Sequence, residues 1–450
     1  MQLLASADLT GYPRVPKTLL VGPIKRTKAR VALLLFVLCV GGLWIAGPLP
    51  LATGVYVQSV TAERAVVCKV DRSPRRLRVR VWPEGSDSDQ TIVASEEEPQ
   101  TLHALTVAGL QPNTRYQYAL DELDDVGGEG TLSIDRGSFR TPPISDTVPV
   151  RFATVGDSGD MPWWHNLHDQ GWGRIRPLIG WTERGKQWDV AGWIDVQRPD
   201  FLLHLGDIVY WRPGRWDAHD EAFFRPFAGV LHDAALFTIV GNHDIPEDRS
   251  DAPPFETIFH NPWREGVGRP QRNYTFAWGS MRVVAFDVID PEWSSDPNKA
   301  WLESTLRAAT EPWLIVAVHI PSFSVYREDP EPLGTVLWEM FEEYGVDLVV
   351  SGDDHHFARF KKPTPDSPIQ VIVGGGGKSL YEFDESDERL AASRQAWSFL
   401  VVEANGALLE GRVMGSETEV IDTFSIDKSQ GPLAANHSEA RRERLERLRR

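Results

Sequence analysis

Five short stretches of this sequence end an apolar run in side chains that bind metal ions. Asp157 follows the run at 150–155, inside Gly156-Asp157-Ser158-Gly159. Asp207 and Tyr210 follow the run at 201–205, inside Gly206-Asp207-Ile208-Val209-Tyr210. Asn242 and His243 follow 236–240, and His319 follows 313–318. Asp353 and His355 follow 346–350, inside Gly352-Asp353-Asp354-His355-His356. Carboxylate, phenol, amide and imidazole are the oxygen and nitrogen donors that hold hard and borderline cations. Taken singly, each stretch is weak, because a Gly-Asp pair is usually a turn and a lone His is usually a satisfied core or surface residue. Five in series, all after apolar runs, are hard to reach by chance.

The elements that must position these groups are strands. Apolar runs of this length, bounded by turn residues, suit central strands of a mostly parallel sheet. Ligands of such sheets gather at the carboxyl ends of the strands. A further buried strand, 369–373, empties into four glycines at 374–377, which read as a tight loop because no P-loop Lys-Ser/Thr follows. His204, inside the second run, reads as a hydrogen-bonded core residue. Helical patterning is expected near 186–197, 299–309 and 336–344, amphipathic packing at 222–227, a hairpin around Gly279-Ser280, and late strands near 397–402 and 408–413. Trp163, Trp164, Trp172 and Trp181 mark an insertion after the first motif.

Ahead of these runs the texture differs. Residues 1–30 carry six basic residues against Asp8, and no charge appears from 31 to 62. A run of about 20 apolar residues spans a bilayer, and a basic flank favours its cytoplasmic side. Residues 31–52 are therefore expected to be a transmembrane helix or signal anchor, with 1–30 cytoplasmic and the rest extracytoplasmic. Cleavage near 52–54 would instead release a secreted protein. From 54 to 142 short segments alternate with period two, as strands do. Leu110, Pro112 and Tyr116 are spaced like the tyrosine corner of fibronectin type III-like sandwiches. This segment carries no catalytic constellation and reads as a spacer or lid. Pro142, Pro143 and Pro149 mark its exit, a catalytic domain is expected over 148–427, and 428–450 reads as a charged tail.

The order and spacing of the five stretches resemble the purple acid phosphatase branch of the calcineurin-like metallophosphoesterases. That branch carries GDxG, GDxxY, GNH with a following acid, VxxH and GHxH. Four of the five blocks match fully here, over roughly residues 148–425. The resemblance implies an α/β fold: a two-sheet αββα sandwich, preceded by a small all-β fibronectin type III-like domain. It implies that Asp157, Asp207, Tyr210 and His355 hold a first metal ion. Asp207 would bridge to a second, held by Asn242, His319 and the residue at 353. A Tyr210 phenolate would select Fe(III) and give a visible absorption band, with divalent Fe, Mn or Zn at the second site. Two cations about 3.5–4 Å apart bind both the attacking oxygen and the phosphate oxygens. His243 cannot easily ligate beside Asn242, since adjacent side chains diverge. It is expected to serve as acid or donor to the leaving group, with Asp244 either orienting that imidazole or capping a helix start. Asn242, His243 and His356 are the expected substrate contacts.

The fifth block departs from the branch, with Asp353 where the pattern has His. Three outcomes follow: a carboxylate ligand favouring harder metals, a lost ligand, or replacement by His356. Composition narrows the partners. The 450-residue chain has a formal net charge of −17, which argues against nucleic acid, whose recognition needs a basic surface. It does not argue against a phosphorylated small molecule or protein, because bound cations invert the local field. Only Cys39 and Cys68 are present, too few for a disulfide framework. The expected function is hydrolysis of phosphate monoesters by a metal-bound hydroxide. The alternatives are a phosphodiesterase or nucleotide hydrolase with the same centre, and a surface binding protein with a decayed one.

Overall fold

The computed structural model describes residues 53–86, 90–123, 132–159, 185–210, 216–245, 254–264, 267–329 and 333–429. The basic segment 1–30, the apolar run 31–52, the four tryptophans of the insertion and the tail beyond 429 lie outside these residues. Among the described residues, no helix is long and apolar enough to cross a membrane.

The N-terminal part forms β1 (Tyr56–Gln58), β2 (Arg64–Arg75), β3 (Leu77–Pro83), β4 (Ile92–Ser95), β5 (Gln100–Ala108), β6 (Arg115–Glu122) and β7 (Leu132–Arg140). Strands β8 (Val150–Val155), β9 (Phe201–His204), β10 (Ala235–Thr238), β11 (Tyr274–Trp278), β12 (Met281–Ala285), β13 (Trp313–Ala317) and β14 (Leu348–Ser351) follow. The last are β15 (Phe357–Phe360), β16 (Ile369–Val373), β17 (Leu390–Arg394), β18 (Phe399–Asn405), β19 (Leu408–Met414) and β20 (Val420–Asp427). One sheet has the order β20-β19-β18-β8-β9-β10-β1-β2-β5, a second β11-β12-β13-β14-β16-β15-β17, and a third β4-β3-β6-β7.

The strands that carry the five stretches are parallel within each large sheet: β8, β9 and β10 in one, and β13 and β14, flanked by the parallel β12 and β16, in the other. Every residue of β9, β10, β13, β14 and β16 is buried, as continuous apolar runs covered on both faces require. The inner faces meet through aromatic side chains. Phe237 stacks on Phe276 with ring centroids 3.7 Å apart, and Phe201 lies 4.8 Å from Trp278. Helices cover the outer faces. Val190, Ala191 and Ile194 of α1 (Gln187–Val196) cluster with Leu202 and Leu236. On the other side, Leu302 and Leu306 of the Asp296–Ala308 helix and Phe341 of the Trp338–Glu343 helix cluster with Leu314, Val316 and Val349. The result is the αββα layering expected from the sequence.

The local expectations hold with shifted ends. The third helix begins in a wider turn at Leu333–Leu337, and β11 and β12 form the hairpin around Gly279, whose φ is +57°. Residues 222–227 pack amphipathically, with Ala222, Phe223, Phe224 and Phe227 buried and Arg225 exposed, on a turn in which the Arg225 N–H donates to the Asp220 carbonyl at 2.9 Å. Strand β20, at the sheet edge, was not expected. Cys68 is a free, buried thiol whose pKa burial pushes up.

The N-terminal strands β1, β2 and β5, in the segment read from the sequence as a spacer or lid, share a sheet with strands that carry the motifs. β1 pairs in parallel with β10 through Val57 and Ala235, so β1, β2 and β5 extend the first large sheet. The Tyr56 hydroxyl donates to the Ile258 carbonyl at 2.8 Å, and Arg140 pairs with Asp200 at 2.9 Å. The Gln111 N–H donates to the Tyr116 hydroxyl at 2.8 Å, closing the corner at Leu110-Gln111-Pro112.

His103 on β5 has its side chain enclosed between two acids, Nδ1 lying 2.8 Å from Glu96 Oε1 and Nε2 lying 3.4 Å from Asp71 Oδ2. Burial acts to lower its pKa, but the flanking carboxylates more than reverse this and hold it above the ordinary value. A raised folded pKa gives stability that is present below about 6.5 and lost as pH rises through the folded value. The difference in Tm between the native chain and His103→Gln is therefore expected to be a few degrees at pH 5.5 and to shrink towards pH 9, as followed by thermal unfolding.

Candidate metal centre

The two sets of parallel strands deliver their carboxyl ends to one edge, where tight turns aim side chains back across it. Asp157, Asp207 and Asp353 adopt φ of +60°, +54° and +65°, a conformation disfavoured for residues with a Cβ and concentrated at functional sites. Two glycines make the turns passable. Gly206 has φ of +97°, and a Cβ at Gly241 would lie 2.2 Å from both the backbone nitrogen and Oδ1 of Asp207.

Two groups of ligands result. In the first, the Tyr210 hydroxyl lies 2.8 Å from Asp157 Oδ1 and 2.8 Å from His355 Nε2. His355 Nε2 is itself 3.5 Å from Asp157 Oδ1. In the second, His319 Nε2 lies 3.1 Å from Asn242 Oδ1, 3.3 Å from Asp207 Oδ1 and 3.7 Å from Asp353 Oδ1. Donor atoms of Asp157, Asp207 and His319, all buried, lie within 4.8 Å of one another, so Asp207 stands between the groups. Both imidazoles are fixed through their other nitrogen. His319 Nδ1 is 2.7 Å from the Leu205 carbonyl, and His355 Nδ1 is 2.9 Å from that of Ser379. A ring N–H given to a carbonyl leaves the opposite nitrogen free to ligate.

The electrostatics of this donor set fit cations. Burial, with the Asp207 and Asp353 carboxylates adding to it, pushes the Asp157 pKa well up. Burial acts to lower His319, yet Asp207, Asp157 and Asp353 pull it up to about 9. Burial and then Asp157 and Asp207 oppose ionisation of Tyr210, while burial pushes His355 down to about 4 and keeps it a neutral donor. Asp207 Oδ2 is buried with no hydrogen-bond partner among the described residues. An unpartnered buried carboxylate oxygen is costly, and a bound cation relieves both that cost and the crowding of charge.

Other expected site residues fall differently. His243 is exposed, with its ring centroid 4.6 Å from that of Tyr210, while its backbone N–H donates to Asp207 Oδ1 at 2.9 Å. Asp244 does not orient the His243 imidazole. Its carboxylate is fully buried and accepts the backbone N–H groups of Gly241, Asp207, Ile208 and Val209 at 2.8–3.1 Å. It clamps the second motif to the third, although burial and the Asp207 charge push its pKa up to about 7. His356 is neither a replacement ligand nor a substrate contact. It is fully buried and stacked on Phe383 at 4.0 Å, and neither ring nitrogen has a hydrogen-bond partner among the described residues. Burial drives its pKa to about 3. His204 is a core residue, its Nε2 lying 2.7 Å from the Ser158 hydroxyl. Gly376 donates its N–H to the Gly156 carbonyl at 2.9 Å, so the glycine run is a close-packed loop behind the first motif.

Sequence reasoning missed Arg327, whose Nη2 donates to both Asp353 and Asp354. The adjacent acids at 353–354 were the available signal for a counter-charge. It also missed Lys378, whose ammonium lies 4.5 Å over the Tyr210 ring.

Residues 150–357 match the calcineurin-like phosphoesterase family. Purple acid phosphatase 22 of Arabidopsis thaliana is 25% identical over 376 residues, covering 75% of this chain and 76% of its own length. Fe(3+)-Zn(2+) purple acid phosphatase 12 of the same plant is 22% identical over 329 residues, covering 66% of this chain and 64% of its own. Among solved structures, purple acid phosphatase PPD1 from yellow lupin (Lupinus luteus) seeds has a TM-score of 0.68 at 18% identity. The match covers 84% of this chain and 74% of that one, a likeness of fold. The chain thus carries a calcineurin-like phosphoesterase domain, has purple acid phosphatases as homologues, and is a hydrolase.

The clamp gives a test separate from chemistry. Asp244→Asn puts an amide N–H against backbone donors, and is expected to lower the unfolding free energy by about 2–4 kcal/mol. Denaturant titration measures the loss, and metal content at a fixed free-metal concentration should fall with it.

Proposed function

We propose that this chain hydrolyses phosphate monoesters at a dinuclear metal centre. The observation that carries the reading is Asp207: a buried carboxylate with an unpartnered oxygen, standing between an Asp157–Tyr210–His355 group and a His319–Asn242–Asp353 group. The first group would hold one cation, the second group another, and Asp207 would bridge them. When bound, such a pair polarises phosphoryl oxygens and lowers the pKa of water.

The protein's own groups have separable tasks. Asn242 is neutral and exposed, so it would hold its cation without adding to the charge of three nearby carboxylates. His243 is exposed on the same turn, beside Tyr210, where its imidazole would donate a proton to the departing alkoxide oxygen. Asp244 and the carbonyls of Leu205 and Ser379 hold these groups in place. Asp353, with Oδ1 towards His319, is read as a ligand, which favours Fe or Mn over Zn at the second site. The relative whose name specifies Fe(3+) and Zn(2+) supports a trivalent–divalent pair, and Tyr210 assigns the trivalent ion to the first site.

The wider reading follows the sequence. The strands between 54 and 142 form a fibronectin type III-like module, on the evidence of the Tyr116 corner. The uncharged run after a basic flank anchors the chain in a membrane with the hydrolase extracytoplasmic, so the substrate is a phosphorylated small molecule or protein met outside the cytoplasm.

Purified protein is expected to bind two metal equivalents by elemental analysis and to turn over an aryl monoester faster than the matching diester. Asn242→Ala should lower kcat/KM by about 100-fold or more, on the scale of losing a group that acts in the transition state, with an unchanged Tm. Two metals with diester turnover alone would make the protein a phosphodiesterase; neither metal nor turnover would leave the centre a relic. Iron-loaded protein is expected to absorb visible light. Tyr210→Phe should abolish that band while iron remains bound, and a band that survives would remove Tyr210 from the coordination sphere.

A further inference from the structure

We propose that Arg327 is a phosphate-binding residue of this centre, held by Asp353 and Asp354 through one nitrogen while it offers the rest of its guanidinium edge to substrate oxygens. The proposal rests on the phosphoesterase reading above. Arg327 Nη2 donates both to Asp353 Oδ2 and, at 2.7 Å, to Asp354 Oδ1. Among the described residues, no hydrogen bond engages Nε or Nη1, and the side chain is 39% exposed. A pairing that served only to neutralise charge would be expected to place the fork face to face on one carboxylate. Here a single nitrogen takes two carboxylates and leaves an open edge.

The location suits a phosphate oxygen. Asp353 bridges Arg327 to the metal ligands, since its other oxygen lies 3.7 Å from His319 Nε2. The guanidinium therefore sits one carboxylate away from where the phosphoryl group must bind. Its loop is tightly held. The Ser324 hydroxyl donates to Asp354 Oδ2 at 2.7 Å and accepts the N–H groups of Tyr326 and Arg327 at 3.1 and 3.2 Å. Tyr326 stacks on Tyr381 at 4.2 Å, and Tyr381 stacks on His355 at 3.9 Å. The arginine is thereby indexed to a proposed metal ligand, and a preorganised planar fork loses little entropy when it takes a phosphate. The choice of Asp at 353 gains a reason: it provides one oxygen to the metal side and the other to an anion-binding arginine.

The test is calorimetric titration of inorganic phosphate into the metal-loaded full chain, with elemental analysis of the same samples. Arg327→Ala is expected to keep both metals, to weaken phosphate binding by about 10-fold, as for a lost charge-assisted pair, and to raise KM for a monoester more than it lowers kcat. Arg327→Lys, which keeps the charge without the fork, should fall between the two. Unchanged phosphate affinity in Arg327→Ala would overturn the proposal. So would loss of metal in step with loss of phosphate binding, which would make Arg327 a prop for Asp353. A native chain with neither bound metal nor phosphate affinity would instead sink the phosphoesterase reading beneath it.

Discussion

The constraint on which this structure depends is a crowd of negative charge in a dry place. Asp157, Asp207 and Asp353 all act on His319, and the first two are almost fully buried. Burial, with the Asp207 and Asp353 charges adding to it, pushes the Asp157 pKa well up, towards proton uptake. A protein that keeps them together must either protonate them or supply cations. The arrangement favours cations, because the remaining partners are donors of lone pairs: a phenol, an amide oxygen and two imidazoles whose N–H sides point to carbonyls. Nothing in that set would stabilise the carboxylates as well as a metal ion does.

That constraint explains features that otherwise look wasteful. Three aspartates sit at positive φ, each costing on the order of 1 kcal/mol or more. Asp244 is buried to satisfy four backbone N–H groups rather than to perform chemistry. The glycine run behind the first motif surrenders side chains so that backbone can pack against backbone. These costs are affordable because two sheets share a continuous aromatic and aliphatic core, and the N-terminal strands join it. β1, β2 and β5 lengthen the first sheet, so the part without ligands still stiffens the edge that presents them.

The legible parts of this protein were those with a local physical signature. Buried parallel strands are continuous apolar runs, and the turns at Asp157, Asp207, Asn242 and Asp353 also carry a glycine, so these strand ends and the one at His319 could be read directly. Two kinds of information were hidden. Non-local pairing leaves no period in the sequence, so the alternation at 56–58 showed a strand but not its parallel partner β10. Polar groups with several available roles were also ambiguous. Asp244 stood equally well for an orienting acid or a cap, and the fold used its oxygens on backbone donors. His356 was read as a candidate substrate contact or replacement ligand, yet the bend that precedes β15 buries its ring against Phe383. Arg327 lies in an aperiodic loop 26 residues from Asp353, and only the folded chain shows what it serves.

The strongly acidic composition and the anionic substrate class are compatible because they act over different ranges. Surface charges are screened over about 8 Å at physiological ionic strength, so the net charge of −17 only weakly opposes an approaching phosphate. Inside the proposed site the balance would be set by the cations it holds and by nearby side chains, at distances too short for salt to screen. Three carboxylates and a phenolate would neutralise most of the charge of a trivalent–divalent pair, leaving little net field to attract an anion. On the proposal above, Arg327, tethered to Asp353, would restore it without drifting into the ligand sphere. On this argument the carboxylate at 353 and the guanidinium at 327 form one electrostatic unit. Neither side chain is intelligible alone, since the first would weaken the centre's hold on anions and the second would lack an anchor.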